Sequence, residues 1–268
     1  MFSIVTSLLA NLPIGITCMV FAILAGMLSL LGLARFERCN LLKKLCPENE
    51  VTGIMFGAIS LIYSLVLAFV IVAVWGNYED LNQTIEREAD KLDGILIHSA
   101  SLPDSVQAPI KTALHNYCNQ VINKEWQMDH EPKMHNASAI PQLRLLLLKN
   151  TAQSTENEGI YSVLDDDLSS ISDLRRSRLS HNRAHVPTLV WFTLKIGSVM
   201  VIVFSFFFEV SSPRVKKLYI FSLTVSIAIS LFLVYALDHP FNHNMQMSNQ
   251  PYVNVLHETR VNNTFSKP

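Results

Sequence analysis

A lysine inside a long apolar stretch is the charge in this sequence that most needs a chemical explanation. Lys195 lies eight residues beyond Pro187, where an apolar run over 187–208 begins. At a helical rise of about 1.5 Å per residue, it would lie roughly 12 Å deep in a membrane span. An ionised amine there is costly unless it meets a partner or water, or unless its long stem reaches the membrane surface. Lys195 is therefore a candidate intramembrane functional charge, with a snorkelling lysine as the alternative.

Histidines and methionines occur at two places with spacings that metal sites use. His181 and His185 would share a helix face, as pairs of zinc ligands do, but no carboxylate or cysteine completes a recognised pattern. The stretch HNMQM offers His243, Met245 and Met247, whose soft donor atoms suit copper(I). Surface residues are the better-supported interpretation of both sets. We therefore expect no metal and no cofactor, and a metal-binding or transport protein is the weakest functional hypothesis.

Small, weakly polar residues recur every four positions in two apolar stretches. This pattern favours close helix packing, with the hydroxyls bonded to their own helix backbone, and the alternative is a surface that faces water or ions. The residues are Gly53, Gly57, Ser60, Ser64 and Ala68 in the second apolar stretch, and Ser222, Ser226 and Ser230 in the fourth.

Several function classes have little support. The sequence has no P-loop, GxGxxG, nucleophile elbow or Ser/His/Asp pattern, so we do not expect an enzyme. The net charge is −1 and no basic patch is interleaved with aromatic residues, which argues against nucleic-acid binding. The cysteines have neither C-x-x-C spacing nor the density of a disulfide scaffold, so we interpret them as structural thiols. They are Cys18, Cys39, Cys46 and Cys118.

The elements that position these residues are four apolar stretches, each long enough to cross a bilayer. Hydrophobic residues make up 50% of the chain and charged residues 16%, which indicates a membrane protein. Only helices can span singly, so the expected fold is all-α, with four transmembrane helices in two hairpins. The apolar stretches are 14–33, 54–75, 187–208 and 218–237. The expected domains are a transmembrane hairpin (1–76), an extramembrane helical insert (77–186), a second transmembrane hairpin (187–237) and an irregular C-terminal tail (238–268).

The second apolar stretch runs into a charged segment without a proline to end the helix. In VWGNYEDLNQTIEREADKL, residues 74–92, apolar side chains continue at helical spacing with charges on the opposite side. The pattern predicts one helix from about 54 to 100, ending before Pro103. Further amphipathic helices are predicted around 110–121, from Pro141, and over 160–174, so the insert is expected to be a helical bundle. Lysine and arginine counts near the membrane ends, seven against six, do not decide its side of the membrane.

Most of residues 51–255 resembles the bestrophin-like family, which is related to bestrophin anion channels. The strongest motif is LAFVIVAVWGNYEDLNQTIEREADKL, which contains Trp75, Tyr78 and Glu88 at family positions. LPDSVQAPIKTALHNYCNQVINKEW and SDLRRSRL also match. After the fourth apolar stretch, LDHPF is similar to a P-F-G element of bestrophins and supplies Asp238, Pro240 and Phe241.

The resemblance implies a ring of subunits, five in bestrophins, whose second spans line an anion pore and continue into a cytoplasmic helical bundle. By position, the apolar neck of that pore falls on Gly57, Leu61 and Leu65, with Ser64 and Ala68 as further pore-lining candidates. Leucines there could gate by dewetting. Gly57 departs from the bulky residue of the family. The acidic run that forms a calcium clasp in some bestrophins is absent from NHNMQMSNQ.

Two hypotheses follow. The first is a homo-oligomeric, multi-pass ion channel of the cell membrane, which passes small anions and has a cytoplasmic insert. The second is a non-conducting sensor or scaffold that acts through the helical insert while the spans anchor it in the lipid bilayer. Cys39 and Cys46 test the orientation, because a loop in an oxidising compartment would allow a disulfide between them.

Overall fold

The computed structural model describes residues 13–38, 49–126, 139–151, 158–181, 184–241 and 247–264, and these contain helices but no strand. The helices among them are α1 (Ile14–Arg38), α2 (Asn49–Ser99), α3 (Asp104–Gln120), α4 (Ala139–Thr151), α5 (Glu158–His181), α6 (Thr188–Phe206), α7 (Pro213–Asp238) and α8 (Gln250–Thr264). A π-helical turn, Val121–Glu125, directly follows α3.

Four of these helices, α1, α2, α6 and α7, are long and apolar enough to cross a membrane. They come as two consecutive pairs, with α3, α4 and α5 between the pairs. The expected all-α fold, with four spans in two hairpins and a helical insert, is confirmed.

The long helix α2 has no break where its apolar part ends. It runs for 51 residues from Asn49 to Ser99 and passes through the change from apolar to charged sequence near Trp75. Its buried positions keep helical spacing throughout: Tyr63, Leu67 and Val74 in the apolar half, and Leu81, Ile85 and Leu92 in the charged half. The predicted single helix is confirmed.

The chain divides into two compact units. The span unit holds residues 1–76, 185–239 and 243–245, and the bundle unit holds residues 77–184, 240–242 and 246–268. In the span unit α7 packs against α1 and α6. Two glycines allow close helix contacts there. A Cβ built on Gly26 would lie 2.5 Å from the Phe221 ring, and one on Gly197 would lie 2.5 Å from the Tyr63 ring.

The bundle unit has an apolar core to which α2, α3, α4, α5 and α8 all contribute. Its fully buried members include Leu81, Ile85, Leu92, Ile95, Ile110, Leu114, Tyr117, Val121, Leu164, Leu168, Ile171 and Tyr252. These are the apolar stripes of the predicted amphipathic helices. The π-helical turn ends in a backbone bond from Trp126 N to Val121 O of 2.9 Å, and both side chains are buried.

The C-terminal tail differs from its expected irregular structure, because Gln250–Thr264 forms α8. The tail is rich in asparagine and other polar residues, so its short apolar stripe at helical spacing was not recognised in the sequence. Tyr252 and Val255 of that stripe are buried in the bundle core and Leu256 packs against it. Tertiary packing therefore stabilises a helix that local propensity does not favour.

Candidate functional site

The predicted neck residues lie on a face of α2 that the other described residues leave uncovered. Leu61 is 70% exposed and Leu65 is 56% exposed, and a Cβ built on Gly57 would meet nothing within 4 Å. At about 100° per residue, these positions are on the opposite side of the helix from Tyr63 and Leu67, which are buried. Two large leucines one helical turn apart thus form an exposed apolar surface on α2.

Ser64 and Ala68 are exposed on the same side of α2. The Ser64 hydroxyl donates to the Leu61 carbonyl at 2.9 Å, and Ser60 donates to Gly57 at 3.1 Å. In α7, Ser226 and Ser230 also donate to carbonyls one turn earlier. The prediction that these hydroxyls bond to their own helix is confirmed. Close packing at these small residues stays a prediction.

Lys195 has an aromatic neighbour one turn earlier in α6. Its Nζ lies 5.6 Å from the centre of the Trp191 ring, a distance at which a cation is attracted to the ring face. The indole Nε1 of Trp191 in turn lies 3.4 Å from Oδ2 of Asp238. This aromatic contact gives the ammonium a partner within the span unit, and the role of Lys195 in function remains a prediction.

Asp238, the last residue of α7, has a buried carboxylate with several donors. Oδ1 accepts the backbone N–H of Val186 at 2.7 Å, and the Asp238 main-chain carbonyl lies 2.9 Å from Nδ1 of His185. Nδ1 of His239 lies 3.6 Å from Oδ2. Asp238 therefore fixes the segment that precedes α6 to the end of α7.

Pro240 and Phe241 belong to the bundle unit and contact its core. The Phe241 ring packs edge-to-face on Trp126 with centroids 5.1 Å apart, and the Pro240 carbonyl accepts the Met247 N–H at 3.1 Å. Tyr78 packs against the same core. In the span unit, Trp75 is mostly exposed. Pro240, Phe241 and Tyr78 therefore have structural contacts within the bundle unit.

Glu88 is the centre of a buried charge network in the bundle unit. Its carboxylate is fully buried and accepts Arg178 Nε at 2.8 Å and the Tyr117 hydroxyl. Arg178 also donates to Glu125 at 2.9 Å, and Arg175 donates to the other oxygen of Glu125 at 2.7 Å. Two arginines and two carboxylates thus connect α2, the π-helical turn and α5.

The pKa values in this network follow from burial and from the neighbouring charges. Burial, and then the charge of Glu88, raises the pKa of Tyr117 well above its ordinary value, so its hydroxyl remains a donor. For Arg178, burial alone would lower the pKa, but the charge and hydrogen bond of Glu88, together with the neighbouring Tyr252 and Tyr117, raise it well above its ordinary value and keep the guanidinium ionised. For Glu125, burial would raise the pKa, but the bond from Arg175 and the charge of Arg178 lower it. Arg178 and Glu125 are therefore held in their ionised forms, whereas Tyr117 keeps its proton.

Sequence reasoning missed this network. Of the arginines near the end of α5, Arg176 has a surface position, 3.6 Å from Asp173, whereas Arg175 and Arg178 belong to the network. Two signals could have found the network. Glu88 falls on the apolar face of α2, seven residues after Leu81, and Arg178 is seven residues after the buried Ile171.

A groove of about 620 Å³ lies on the bundle unit between α2 and α5. Its centre is Asp167, whose carboxylate accepts Lys91 Nζ at 2.8 Å and lies 3.1 Å from Nδ1 of His98. Asp167 bonds to residues of α2, so the groove is polar but the charge of this carboxylate is paired.

The structure describes three of the five metal-site candidates, His181, His185 and Met247. His181 lies in the bundle unit with Nδ1 2.8 Å from Oδ1 of Asn77, whereas His185 lies in the span unit beside Asp238. Met247 is buried in the bundle core. His243 and Met245, and the cysteine pair Cys39 and Cys46, lie outside the described residues.

The chain is similar to known proteins in sequence and in fold. The model of the Bestrophin-like domain matches residues 19–252. No curated protein matches the sequence. A crystal structure of a bacterial bestrophin homologue from Klebsiella pneumoniae superposes with a TM-score of 0.68 at 11% identity, covering 94% of this chain and 99% of that one. A crystal structure of a membrane protein variant gives a TM-score of 0.74 at 10% identity, covering 92% and 98%. At these identities the solved structures show a shared fold.

Proposed function

Because the chain belongs to the bestrophin-like family, we propose that it is a homo-oligomeric ion channel whose pore is lined by α2. The family and the four spans make it a membrane protein. By resemblance to bestrophins, the oligomer is a pentamer in the cell membrane with the bundle unit in the cytoplasm. Leu61 and Leu65 of each subunit form the apolar neck, and Gly57 widens one end of it.

The uncovered face of α2 carries this proposal. Leu61 and Leu65 project from a helix whose opposite side is packed against its own chain, so copies arranged around an axis would bring these leucines together. A ring of leucines one turn apart repels water when narrow and admits it when wide, which suits a gate. Ser64 and Ala68 beside them are small enough for neighbouring copies to approach closely.

The charges on the bundle half of α2 favour cations over the anions that the resemblance implied. Glu79, Glu86 and Asp90 share one exposed face with Gln83, on the side opposite the buried Ile85. Arg87 is also on this face and donates to Gln83 at 3.3 Å. If this face meets the ion path, each subunit adds three carboxylates and one guanidinium to it, a net negative charge. Carboxylate rings raise the local concentration of cations and exclude anions. Permeation of cations is therefore the second candidate for the transported ion.

Reversal potentials decide between the two ion types. Purified protein in a planar bilayer with a KCl gradient should reverse near the chloride potential for an anion channel and near the potassium potential for a cation channel. In the cation case, replacing Glu86 and Asp90 by lysine should move the reversal potential toward chloride. Exchange of Arg176, which is exposed and pairs with Asp173 on α5, for glutamate is the control and should leave it unchanged.

The neck is tested by the double variant Leu61→Ala with Leu65→Ala. Removing both side chains should weaken dewetting and raise the open probability, so current at a fixed voltage should rise several-fold. The matched control is Leu31→Ala, an exposed leucine of α1 that should leave the current unchanged. A current that is absent under varied conditions, together with a monomeric mass in detergent, would refute the channel.

A non-conducting sensor or scaffold is the alternative, and the groove beside Asp167 gives it a location. That function predicts the reverse pattern, in which the two leucine substitutions have no effect while substitutions in the groove abolish activity. Lys91→Ala removes the lysine that bonds Asp167 and is the direct probe of the groove.

A further inference from the structure

Two imidazoles and a carboxylate meet where the chain enters α6 and leaves α7. Each of His185, Asp238 and His239 has one potential ligand atom within 4.8 Å of the corresponding atoms of the other two. Nδ1 of His185 lies 3.9 Å from Oδ1 of Asp238, and Nδ1 of His239 lies 3.6 Å from Oδ2. The two imidazole rings are stacked, with centroids 5.0 Å apart. Three donor groups of the types that bind transition metals therefore converge within the span unit.

The separations are close to those of a coordination sphere. Bonds of about 2.1 Å in a tetrahedral site put ligand atoms about 3.4 Å apart. The two nitrogen–oxygen distances exceed this by a few tenths of an ångström, and the widest separation in the group exceeds it by at most about 1.4 Å. The His185 side chain is 39% exposed, so a small rotation of its ring can close the remaining gap.

The groups around Asp238 orient its carboxylate in a way that suits cation binding. The Asp238 side chain is only 3% exposed, and the backbone N–H of Val186 at 2.7 Å holds Oδ1 in place. Trp191 Nε1 lies 3.4 Å from Oδ2. Such outer contacts orient metal-binding carboxylates in proteins. Asp238 and His239 also lie at the C-terminal end of α7, where the helix dipole favours positive charge.

The carbonyl groups at this helix end supply further oxygen atoms. The Asp238 carbonyl lies 2.9 Å from Nδ1 of His185, and the Tyr235 carbonyl lies 3.1 Å from Nδ1 of His239. Both of these oxygen–nitrogen distances are within the separation of two ligand atoms bound to one metal ion. In the metal-free state the same atoms form hydrogen bonds, so ion binding would exchange these bonds for coordination after small ring movements.

We propose that His185, Asp238 and His239 bind one divalent transition-metal ion, with zinc as the best match. Two imidazoles with one carboxylate suit zinc and disfavour calcium and magnesium, which prefer oxygen ligands alone. The bound ion would link the segment before α6 to the end of α7. Sequence spacing could not reveal this site, because its ligands come from positions 53 residues apart.

Equilibrium dialysis of the full chain in detergent against micromolar ZnCl₂ tests the site, with bound metal measured by mass spectrometry. The protein should bind one zinc per chain. The double variant His185→Ala with His239→Ala should bind at least about 100-fold more weakly, because losing ligands costs more than losing their outer contacts. The control is His257→Ala, which removes an exposed histidine of α8 and should bind like the unaltered chain.

Two further measurements keep the test decisive. If the double variant loses its helical circular dichroism, His185→Ala alone replaces it, because that side chain is partly exposed. Cobalt(II) should give the visible absorption of a low-coordinate site, and His185→Ala should remove it. Failure of the unaltered chain to bind zinc at micromolar concentration, or equal binding by the histidine variants, would show that the three residues form only a hydrogen-bonded cluster. Neither result depends on whether the protein conducts ions.

Discussion

In the span unit the described buried polar side chains are serines, threonines and Asp238, whereas in the bundle unit they include Glu88, Glu125, Asp167 and Arg178. Hydroxyls such as those of Ser29 and Thr224 donate to carbonyls of their own helices. Such bonds are satisfied locally before helices meet, as a lipid environment requires. The ion pairs of the bundle unit are satisfied only when distant helices pack together.

The two units therefore obtain the specificity of their helix packing in different ways. Helices in lipid gain no hydrophobic energy from meeting one another, so their contacts depend on shape, as at Gly26 and Gly197. The bundle unit buries a continuous apolar core and adds charges that fit only one arrangement of α2 and α5. The span unit should therefore be sensitive to substitutions that change side-chain volume. The bundle unit should be sensitive to substitutions that remove a buried charge.

Breaking the charge network should have the largest effect. Arg178→Ala leaves Glu88 buried without its guanidinium partner and should destabilise the bundle unit by about 3–5 kcal/mol. Hydrogen exchange of α2 residues 81–96 and of α5, followed by mass spectrometry, measures the loss. The matched control is Arg176→Ala on the same helix, whose exposed pair with Asp173 should contribute less than about 1 kcal/mol. Equal exchange in the two variants would contradict a specifying role for the network.

Adding one methyl group should test packing in the span unit. Gly26→Ala places a Cβ 2.5 Å from the Phe221 ring, and the displacement of that ring should cost about 1–3 kcal/mol. Gly15→Ala on the same helix meets nothing within 4 Å and should be neutral or slightly stabilising, since alanine favours helix over glycine. Thermal aggregation midpoints in detergent compare the two. A midpoint for Gly26→Ala as high as for Gly15→Ala would show that this contact is loose.

Acid should weaken the bundle unit through Glu125. Its folded pKa lies below the ordinary value of 4.5, so its stabilising effect is complete above that pH and is lost as the pH falls toward the folded pKa. Hydrogen exchange of α5 measured between pH 6 and pH 3 should show this decline. Glu125→Gln should flatten the pH dependence attributable to this carboxyl, and an unchanged slope would assign the acid sensitivity to other groups.

The sequence predicted the fold well because its strongest signals are local. Twenty-residue apolar stretches and the helical spacing of Leu81, Ile85 and Leu92 depend on neighbouring residues only. The ion pair between Glu88 and Arg178 joins positions 90 residues apart, and the histidine–aspartate cluster joins α7 to the segment before α6. Such sites depend on tertiary packing, which residue spacing alone does not encode. Helix α8 was missed for the same reason, since Tyr252 and Val255 gain their stabilisation from the bundle core.

Cysteine accessibility at Leu61 tests the central claim most directly. In a chain whose four native cysteines are replaced by alanine, Leu61→Cys should react with a charged, membrane-impermeant thiol reagent, and the reaction should reduce the single-channel current. Leu31→Cys in α1 is the control and should leave the current unchanged. The proposed pore predicts rapid modification and block at residue 61 alone. Protection of that cysteine from the charged reagent, with modification only by a lipid-soluble one, would place this face of α2 against acyl chains and contradict the account.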